Sequence, residues 1–394
     1  MRTRRGACYC SPCQDGPRRK RRRVGVAEGP APAGSGAGAC GDMFDELPDD
    51  LVVSILADVA ASARSPADLA GAMLTCKRFR ELGGNKVVLA RASPRCVAVR
   101  AGAWSDAAHR FLQRCADAGN LDACYLLGMI RFYCLGSRGS GAALMAAAAV
   151  GGHREALYSL AVIQFNGSGG TKDDRDLRAG AALCARAASL GHVDALRELG
   201  HCLQDGYGVR RSVLDGRRLL IQANARELAA AVAASASLLR AAAGGGGKPA
   251  SRRHSCLLSD FGCHAAAKAG GEAHAANRFL VDWFASRPLA AAAATAAASA
   301  TAAVSAAEDD GGAGGGGDES CGLRLCSHAL CGRPETRRHE FRRCSVCGVV
   351  NYCSRACQAL HWKTAHKAEC TPMDRWLDNA VAPNAAAAMA APAP

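Results

Sequence analysis

Eight potential metal ligands are concentrated near the end of the chain, between residues 326 and 370. They form four close pairs: Cys326 and Cys331, Cys344 and Cys347, Cys353 and Cys357, and His366 and Cys370. Cysteine sulfur and histidine nitrogen are the ligands that Zn²⁺ prefers, and a structural site takes four of them in a tetrahedron. The eight residues therefore predict two closed zinc sites, which leave no open position for a water or a substrate.

The spacing within the pairs indicates how the chain would hold the ions. Cys344-Ser-Val-Cys347 is typical of a tight knuckle, whereas Cys353–Cys357 and His366–Cys370 have the i, i+4 spacing of one helix face. The first pair, Cys326 and Cys331, has a wider spacing, and other residues nearby could replace its members as ligands. Three further residues remain alternative ligands: Cys321, His328 and His361.

This short segment has few large apolar side chains, so it needs another source of stability. Structural zinc supplies an apparent binding free energy of ~10–16 kcal/mol in small metal-binding domains. That is comparable with the whole stability of an ordinary domain. We therefore expect the loss of one ligand to unfold its site rather than merely weaken it.

Cysteine usage indicates a reducing compartment. The 394-residue chain has 21 cysteines, and its first residues, MRTRRGACYC, lack the apolar core of a secretory signal. An odd count with clustering favours metal binding over a disulfide framework. Lysine and arginine exceed aspartate and glutamate by 49 − 35 = 14. This excess favours nuclear residence or acidic partners, although zinc-bound thiolates reduce it.

Low-complexity segments separate the compact parts of the chain. Residues 1–40 and 378–394 are predicted to be disordered, because they are rich in Gly, Pro, Ala or charge. Residues 244–320 are expected to be mostly a linker, with a short apolar segment at 277–287.

A run of six cations, Arg18 to Arg23, follows Pro17 in the N-terminal segment. Such a run is typical of a nuclear localisation signal. The alternative is a solvated tail with a loose attraction to polyanions. The expected location is therefore the nucleus, with the cytoplasm as a second location.

One phrase occurs three times in the middle of the chain, and this predicts a helical repeat array. The copies are Gly119-Asn-Leu-Asp-Ala123, Gly152-His-Arg-Glu-Ala156 and Gly191-His-Val-Asp-Ala195. A leucine stands four residues after the end of each copy, and the residue after that leucine is small: Gly128, Ala161 or Gly200. Because one unit cannot bury its apolar face alone, the units must stack. Residues 105–230 are therefore expected to be α-helical repeats, with an irregular helical bundle as the alternative.

The first compact segment, residues 43–92, is also predicted to be helical. Pro48 suits a first helical turn, where its missing N–H costs nothing. Three apolar residues are then expected to share one face: Leu51, Ile55 and Leu56. A second helix is expected from about Asp68 to Leu82. So small a unit buries little core unaided, and its apolar residues indicate a partner.

The ligand spacing, together with Tyr352, Gln358 and Trp362, resembles the MYND zinc finger. The resemblance implies interleaved pairing, with one ion on Cys326, Cys331, Cys353 and Cys357 and the other on Cys344, Cys347, His366 and Cys370. MYND fingers bind short proline-containing peptides. The positions that match peptide contacts are Ser345, Gln358 and Trp362. A core position under the last helix is the alternative for Trp362.

The first compact segment resembles the F-box, on the strength of Leu47-Pro48, Leu51, Ile55-Leu56 and Cys76-Lys77-Arg78-Phe79. F-boxes dock on the adaptor subunit of cullin-RING ubiquitin ligases. The resemblance implies an adaptor interface with five residues: Leu47, Pro48, Leu51, Ile55 and Leu56. The Ala-rich stretch from Ala60 to Ala67 departs from the usual aliphatic pattern. The three copies of the phrase resemble Sel-type, tetratricopeptide-like repeats.

The order of F-box, Sel-type repeats and C-terminal MYND finger resembles a plant-type family. It implies a mainly α protein: a small helical F-box, an α-solenoid and a separate small zinc-stabilised finger. The implied function is a non-catalytic substrate-recognition subunit of an SCF-type ligase. It would bind the SCF adaptor and cullin, and capture target proteins or proline-containing peptides. The alternative is a nuclear co-regulator scaffold that recruits such peptides without a ligase role.

Other functions find less support in the sequence. No Ser-His-Asp or paired-carboxylate constellation is apparent. The run from Leu289 to Ala307 is almost all Ala, Ser and Thr, which gain little from entering lipid, so no membrane span is expected. Four arginines, Arg337, Arg338, Arg342 and Arg343, lack interleaved aromatics and are interpreted as solvated loop charge rather than a nucleic-acid site.

Overall fold

The structure is a computed structural model that describes residue 44 and residues 46–242, 273–287 and 322–372, with the backbone alone for 234–242. These residues are mainly helical, as predicted. Several sequence predictions concern residues outside these ranges: the basic run Arg18–Arg23, Cys321, most of the linker and the segment 378–394. None of the described helices is both long enough and apolar enough to cross a bilayer.

Four short helices form the N-terminal unit, which we define as residues 49–98. They are α1 (Asp49–Ser62), α2 (Pro66–Met73), α3 (Lys77–Leu82) and α4 (Lys86–Ala90). The unit has a small apolar core: Val52, Leu56, Ala60, Leu69, Val88 and Leu89.

The single helix expected over residues 68–82 is two helices, so that prediction is wrong. The chain leaves the helical conformation at Cys76, which has φ −151° and ψ 170°. The Cys76 sulfur then accepts the Phe79 N–H at 3.4 Å and caps the start of α3. The apolar spacing across the break remains helical, and it therefore concealed the change of direction.

Seven helices follow as the repeat array. They are α5 (Asp106–Asp117), α6 (Leu121–Tyr133), α7 (Arg138–Val150), α8 (Arg154–Asn166), α9 (Leu177–Ser189), α10 (Val193–Asp205) and α11 (Val213–Ala242). Consecutive helices pack against each other along the array. Short 3₁₀ turns lie at Ala101–Ala103 and Lys172–Asp174.

The small residues of the repeats sit where helices cross. A Cβ added to Gly128 of α6 would lie 2.9 Å from the carbonyl oxygen of Gly141 in α7. One added to Gly141 would lie 2.7 Å from the Gly128 carbonyl oxygen. Backbones this close admit no side chain, so we infer that alanine at either position would push the two helices apart.

The first polar residue of each repeated phrase caps the helix that it precedes. Asn120 accepts the Ala123 N–H through Oδ1 at 2.9 Å. His153 and His192 do the same with Nδ1, accepting the N–H of Ala156 at 3.2 Å and of Ala195 at 3.1 Å. Because these imidazole nitrogens are acceptors, the neutral rings carry their proton on Nε2.

The same residues also join each unit to the one before it. His153 Nε2 lies 3.3 Å from an oxygen of Asp122, and His192 Nε2 lies 2.8 Å from an oxygen of Glu155. Asn120 has no earlier phrase to contact, and its amide donates to the Ala92 carbonyl of the N-terminal unit at 2.7 Å. Each phrase therefore contains both partners needed for a bond between neighbouring units. Its capping residue bonds the unit before it, and its acid can accept a bond from the unit after it.

Low pH is expected to weaken the bond between His192 and Glu155. Burial alone would raise the Glu155 pKa, but the hydrogen bond from His192 and the charge of Arg154 help to lower it to about 2 from its usual 4.5. A folded-state pKa below the unfolded value gives stability above pH 4.5 that is lost as the pH falls towards 2. The urea concentration at the unfolding midpoint should therefore fall more between pH 5 and pH 3 in the wild type than in Glu155→Gln.

The exposed carboxylate Glu81 provides the control for that comparison. Glu81→Gln should follow the wild-type pH dependence. Parallel curves for wild type and Glu155→Gln would show that Glu155 does not link folding to protons.

Another helix, α12 (Ala275–Ser286), lies within the stretch whose sequence indicated a short apolar segment. It packs on α6 and on the Ala101–Ala103 turn. Four side chains face inward and are buried: Phe279, Leu280, Trp283 and Phe284. Their i, i+1, i+4, i+5 spacing gives one helix face, which explains why this segment adds a layer to the array.

The C-terminal segment contains two short strands and a broken helix. Strand β1 (Arg342–Arg343) pairs antiparallel with β2 (Asn351–Tyr352), with Arg342 opposite Tyr352. Helix α13 (Arg355–His361) continues through a π turn at Trp362–His366 into α14 (Lys367–Glu369). We call residues 322–372 the finger.

Candidate functional site

The finger brings its eight predicted ligands together as two clusters of four. The first contains Cys326, Cys331, Cys353 and Cys357, and the second contains Cys344, Cys347, His366 and Cys370. Within each cluster the ligand atoms all lie within 4.8 Å of one another. This is the interleaved arrangement that the family resemblance implied.

The distances between ligand atoms match a tetrahedral zinc ion. Cys353 Sγ lies 3.5 Å from Cys331 Sγ and 3.6 Å from Cys357 Sγ. With Zn–S bonds of about 2.3 Å, the edge of such a tetrahedron is about 3.8 Å. These sulfurs are much too far apart for disulfides, whose S–S distance is about 2.05 Å.

The distances in the second cluster, which has three sulfurs and one nitrogen, also match a tetrahedral zinc ion. Cys344 and Cys370 place their sulfurs 4.0 Å apart. The Cys347 sulfur lies 3.5 Å from His366 Nε2, close to the edge of about 3.6 Å expected between a sulfur and a nitrogen on one zinc ion. The finger therefore has two donor sets that suit two zinc ions, with His366 offering Nε2.

Local turns place these ligands. The knuckle of the second cluster closes through a 2.9 Å bond from the Gly348 N–H to the Cys344 carbonyl, and Gly348 has a φ of +68° that favours glycine. The wide first pair folds back because the Cys331 N–H donates to the His328 carbonyl at 2.9 Å. Ser354 caps α13, and this helix carries Cys357.

Two of the alternative ligands lie outside both clusters. His361 Nδ1 is 3.0 Å from the Tyr352 hydroxyl, and its ring stacks on His366 at 5.6 Å. It therefore supports a ligand without being one. His328 lines a cleft between the finger and the repeats instead.

A third group of possible ligands lies between the repeats and the start of α12: Asp122, His153 and His274. Both histidines already accept helix N–H groups through Nδ1, from Ala156 and from Ala276, each at 3.2 Å. A neutral imidazole has one lone pair, so its Nε2 keeps the proton and donates. Metal-bound histidines have the opposite arrangement, with the second nitrogen donating. We interpret this group as a hydrogen-bonded link between repeats.

The finger is packed directly on the repeat array. The Tyr158 hydroxyl of α8 donates to Ser354 Oγ at 3.1 Å, and Asn166 Nδ2 donates to the Cys353 carbonyl at 2.8 Å. Glu198 of α10 accepts the Ala356 N–H at 2.8 Å. Two helices of the array, α8 and α10, thus bond the backbone or the cap around the first cluster.

Glu198 occupies an unusual position for a carboxylate. Its side chain is buried, and burial raises its pKa, opposed by the charges of Arg342 and Arg355 and by the bond from the Ala356 N–H. The Glu198 carboxylate thus accepts a hydrogen bond at the N-terminal end of α13, where unpaired N–H groups attract negative charge.

A buried ionic network makes a second connection. Arg197 of α10 and Lys363 of the finger both pair with Glu227 of α11, and the Lys363 ammonium lies 3.3 Å from its carboxylate. Lys363 also donates to Asn224 Oδ1 at 2.8 Å. The side chains of Arg197 and Lys363 are 1% and 0% exposed, so Glu227 is a carboxylate that two desolvated cations share.

Arg337 makes a third connection, so the interpretation of this residue as solvated loop charge is wrong. Its guanidinium donates to the Gly167 carbonyl at 2.6 Å and to the Asn166 carbonyl at 2.5 Å. These carbonyls end α8, where the helix dipole attracts a cation.

Glycine allows the finger to approach α12 as well. Gly332 has a φ of +67°, and a Cβ there would lie 2.7 Å from the Val281 nitrogen. The neighbouring Arg333 is buried and donates to Ser159 Oγ of α8 at 2.8 Å. The finger is therefore fastened between the repeat array and α12.

The predicted peptide-contacting residues remain accessible beside this interface. Ser345 is exposed, whereas Gln358 and Trp362 are half-buried. Val346 and Val349 are also exposed, at 43% and 52%. The loop around Ser345 thus keeps exposed apolar side chains.

Comparisons with known proteins identify the parts of the chain. The MYND finger model matches residues 326–370, and the model of plant tetratrico peptide repeats matches residues 97–178. F-box protein At1g67340 of Arabidopsis thaliana is 56% identical over 372 residues, covering 93% of this chain and 90% of that protein. The chain belongs to this F-box protein family.

A second relative agrees with the assignment. F-box protein At5g50450 of Arabidopsis thaliana is 53% identical over 334 residues, covering 85% of this chain and 87% of that protein. A Sel1 repeat protein from Oxalobacter formigenes is a similar solved structure, with 24% identity, a TM-score of 0.27 and coverage of 29% of this chain and 86% of that one.

The predicted adaptor-contacting residues of this F-box protein divide into two groups. Leu51 and Ile55 of α1 are 48% and 41% exposed, Pro48 is exposed and Leu47 is half-buried. Leu56 is 1% exposed and belongs to the core, so the prediction that it contacts a partner is wrong. At 100° per residue Leu56 lies about 140° from Leu51, on the other side of the helix, a signal that the sequence contained.

Sequence reasoning missed the residues that fasten the finger of this F-box protein. Lys363 and Glu227 gave no periodic or motif signal, because their partners lie far away in the chain. The acids and histidines of the repeated phrase did carry a signal, since each copy contains both.

Proposed function

We propose that this F-box protein is the substrate-recognition subunit of an SCF-type cullin-RING ubiquitin ligase. The observation that carries the proposal is the exposed apolar pair Leu51 and Ile55 on α1, in a chain that belongs to an F-box protein family. These residues lie one helical turn apart and give a partner one continuous apolar strip.

The adaptor-binding and target-binding parts are distinct in this proposal. The adaptor and, through it, the cullin bind α1 in the N-terminal unit. The protein supplies no reacting group, and ubiquitin transfer is carried out by the other subunits of the complex.

Target capture is assigned to the joint surface of the repeats and the finger. A cleft of about 380 Å³ lies between them, lined by α8, α10, α11, α12 and the finger. This volume suits a few residues of an extended peptide. Asn277 Oδ1 is buried there without a hydrogen-bond partner among the described residues, and a peptide N–H would satisfy it.

The accessible side of the finger is the proposed site for proline-containing peptides. The half-buried Trp362 offers a flat apolar ring to a proline, and Gln358 offers an amide to an extended backbone. We place the complex in the nucleus on the basis of Arg18–Arg23 and the excess of positive charge.

Aspartate at both exposed positions of α1 should remove the adaptor. In Leu51→Asp with Ile55→Asp, two charges replace the apolar strip, and a desolvated charge in an interface costs several kcal/mol, so association should fall at least about 100-fold. Affinity purification with mass spectrometry of wild type and variant measures the recovery of adaptor and cullin.

Val150→Asp with Leu190→Asp is the matched control, because both residues are exposed apolar side chains of the repeats, at 78% and 47%. That variant should retain adaptor and cullin. Equal recovery from the α1 variant would refute the mapped interface. Peptide capture by the finger without any adaptor in the wild type would favour the co-regulator scaffold.

A further inference from the structure

An arginine-lined cleft lies where the N-terminal unit meets α12. Its volume is about 590 Å³. Four arginines line it: Arg64 before α2, Arg95 and Arg100 from the segment after α4, and Arg278 of α12. Asp282 is the one acidic residue among the described residues that line the cleft.

Two arginines of the cleft, Arg95 and Arg100, differ from others nearby in their partners. Arg78 pairs with Asp49 at 2.6 Å, and Arg91 pairs with Asp58 at 3.0 Å. In the part of the chain that the structure describes, Arg95 and Arg100 form no such ion pair.

Arg64 does have an acid nearby, but that acid is already occupied. Asp68 accepts the N–H groups of Arg64 and Ser65 at 2.7 and 3.1 Å, and the Ser65 hydroxyl at 3.1 Å. These bonds cap α2, and the Arg64 guanidinium takes no part in them. Among the described residues, the charges of Arg95 and Arg100 are therefore not compensated by a paired acid.

Several like charges around one cleft repel each other, and apolar walls strengthen the repulsion by excluding water. Pro66, Val99 and the buried ring of Phe279 supply such walls here. Guanidinium groups bind phosphate through two parallel N–H bonds, which gives geometric specificity as well as charge neutralisation. A ligand with several phosphates would relieve the repulsion from all sides.

We propose that this cleft binds a small, multiply phosphorylated molecule. Its volume lies within the range of about 300–1,000 Å³ for small-molecule sites. The cations converge on one cleft, whereas nucleic-acid surfaces track a backbone with cationic grooves and exposed stacking aromatics. Phe279 is 1% exposed and offers no stacking platform.

The position of the cleft gives the ligand a structural consequence beyond target recognition. Its walls come from the N-terminal unit on one side and from α12 on the other. A bound polyanion would bridge the two, and would thereby fix the adaptor-binding helix relative to the surface proposed for targets.

Inorganic tripolyphosphate is the probe for the test. Calorimetry on the full-length, zinc-loaded protein at fixed ionic strength should show saturable binding at one site. Sulfate at the same ionic strength should bind much more weakly, because it presents a single anionic group. In Arg95→Gln with Arg100→Gln, the loss of two charge-assisted contacts should weaken tripolyphosphate binding at least about 100-fold.

Arg110→Gln with Arg186→Gln is the matched control, since both residues are exposed arginines on α5 and α9. This variant has the same net charge as the test variant and should bind like the wild type. Both variant pairs alter exposed side chains, and circular dichroism and zinc content verify their folding.

Three results would overturn the proposal. They are a wild type without saturable binding, undiminished binding in the Arg95/Arg100 variant, and an equal loss in the control variant. A single-stranded oligonucleotide that binds more tightly through the same arginines would also overturn it, and would assign the cleft to nucleic acid.

Discussion

Replacement of Cys331 by serine is expected to remove one zinc ion and to unfold the part of the finger around it. Serine cannot act as the thiolate ligand, so the first cluster keeps three of its four donors. The apparent stabilisation at stake is ~10–16 kcal/mol, more than a segment with so small a core can replace. Elemental analysis should find zinc falling from two ions per chain towards one, and limited proteolysis should cut within residues 322–372.

Cys76→Ser provides the control, because Cys76 is exposed, lies outside both clusters and caps a helix as serine also does. It should retain both ions and resist cleavage. Two ions per chain in Cys331→Ser, with an unchanged digestion pattern, would contradict the assigned ligand set.

Replacement of Glu227 by alanine should produce the next largest effect. It leaves the cations of Arg197 and Lys363 buried with their shared carboxylate removed, and breaking a buried ion pair in this way costs about 3–5 kcal/mol. Asp194, 3.3 Å from Arg197, compensates only part of this loss. Urea unfolding of the zinc-loaded protein should show a clearly lower midpoint, with faster hydrogen exchange in the finger.

Asp215→Ala on the same helix is the comparison, since Asp215 pairs with Arg218 at 3.4 Å on the exposed surface. Exposed pairs contribute about 0–1 kcal/mol, so this midpoint should scarcely move. Similar midpoints for the two variants would mean that the buried network contributes no more than a surface pair.

The local features of the fold were predictable because their causes are local. Ligand spacing determines which residues can share an ion, and the repeated phrase contains the caps that begin α6, α8 and α10. The exposure of Leu51 and Ile55 follows from their spacing on α1. The burial of Leu56 was predictable on the same basis, by counting 100° per residue.

The contact between finger and repeats was not predictable in this way. Lys363 and Glu227 are separated by more than a hundred residues, and neither belongs to a motif. Burial of a lysine is uncommon, so its sequence context favoured a solvated side chain. Arg337 was misinterpreted for the same reason, since its carbonyl acceptors become available only where α8 ends.

The bonds between repeats restrict how this array can change in length. Each phrase offers a capping side chain to the unit before it and an acid to the unit after it. At the ends these roles pass to other groups, with Asn120 on the Ala92 carbonyl and Asp194 on Arg197. Duplication or deletion of a whole repeat in the middle keeps every donor paired with an acceptor. Removal of the repeat at either end leaves one donor or acceptor unpaired. Length variation among such arrays should therefore arise internally and in whole units.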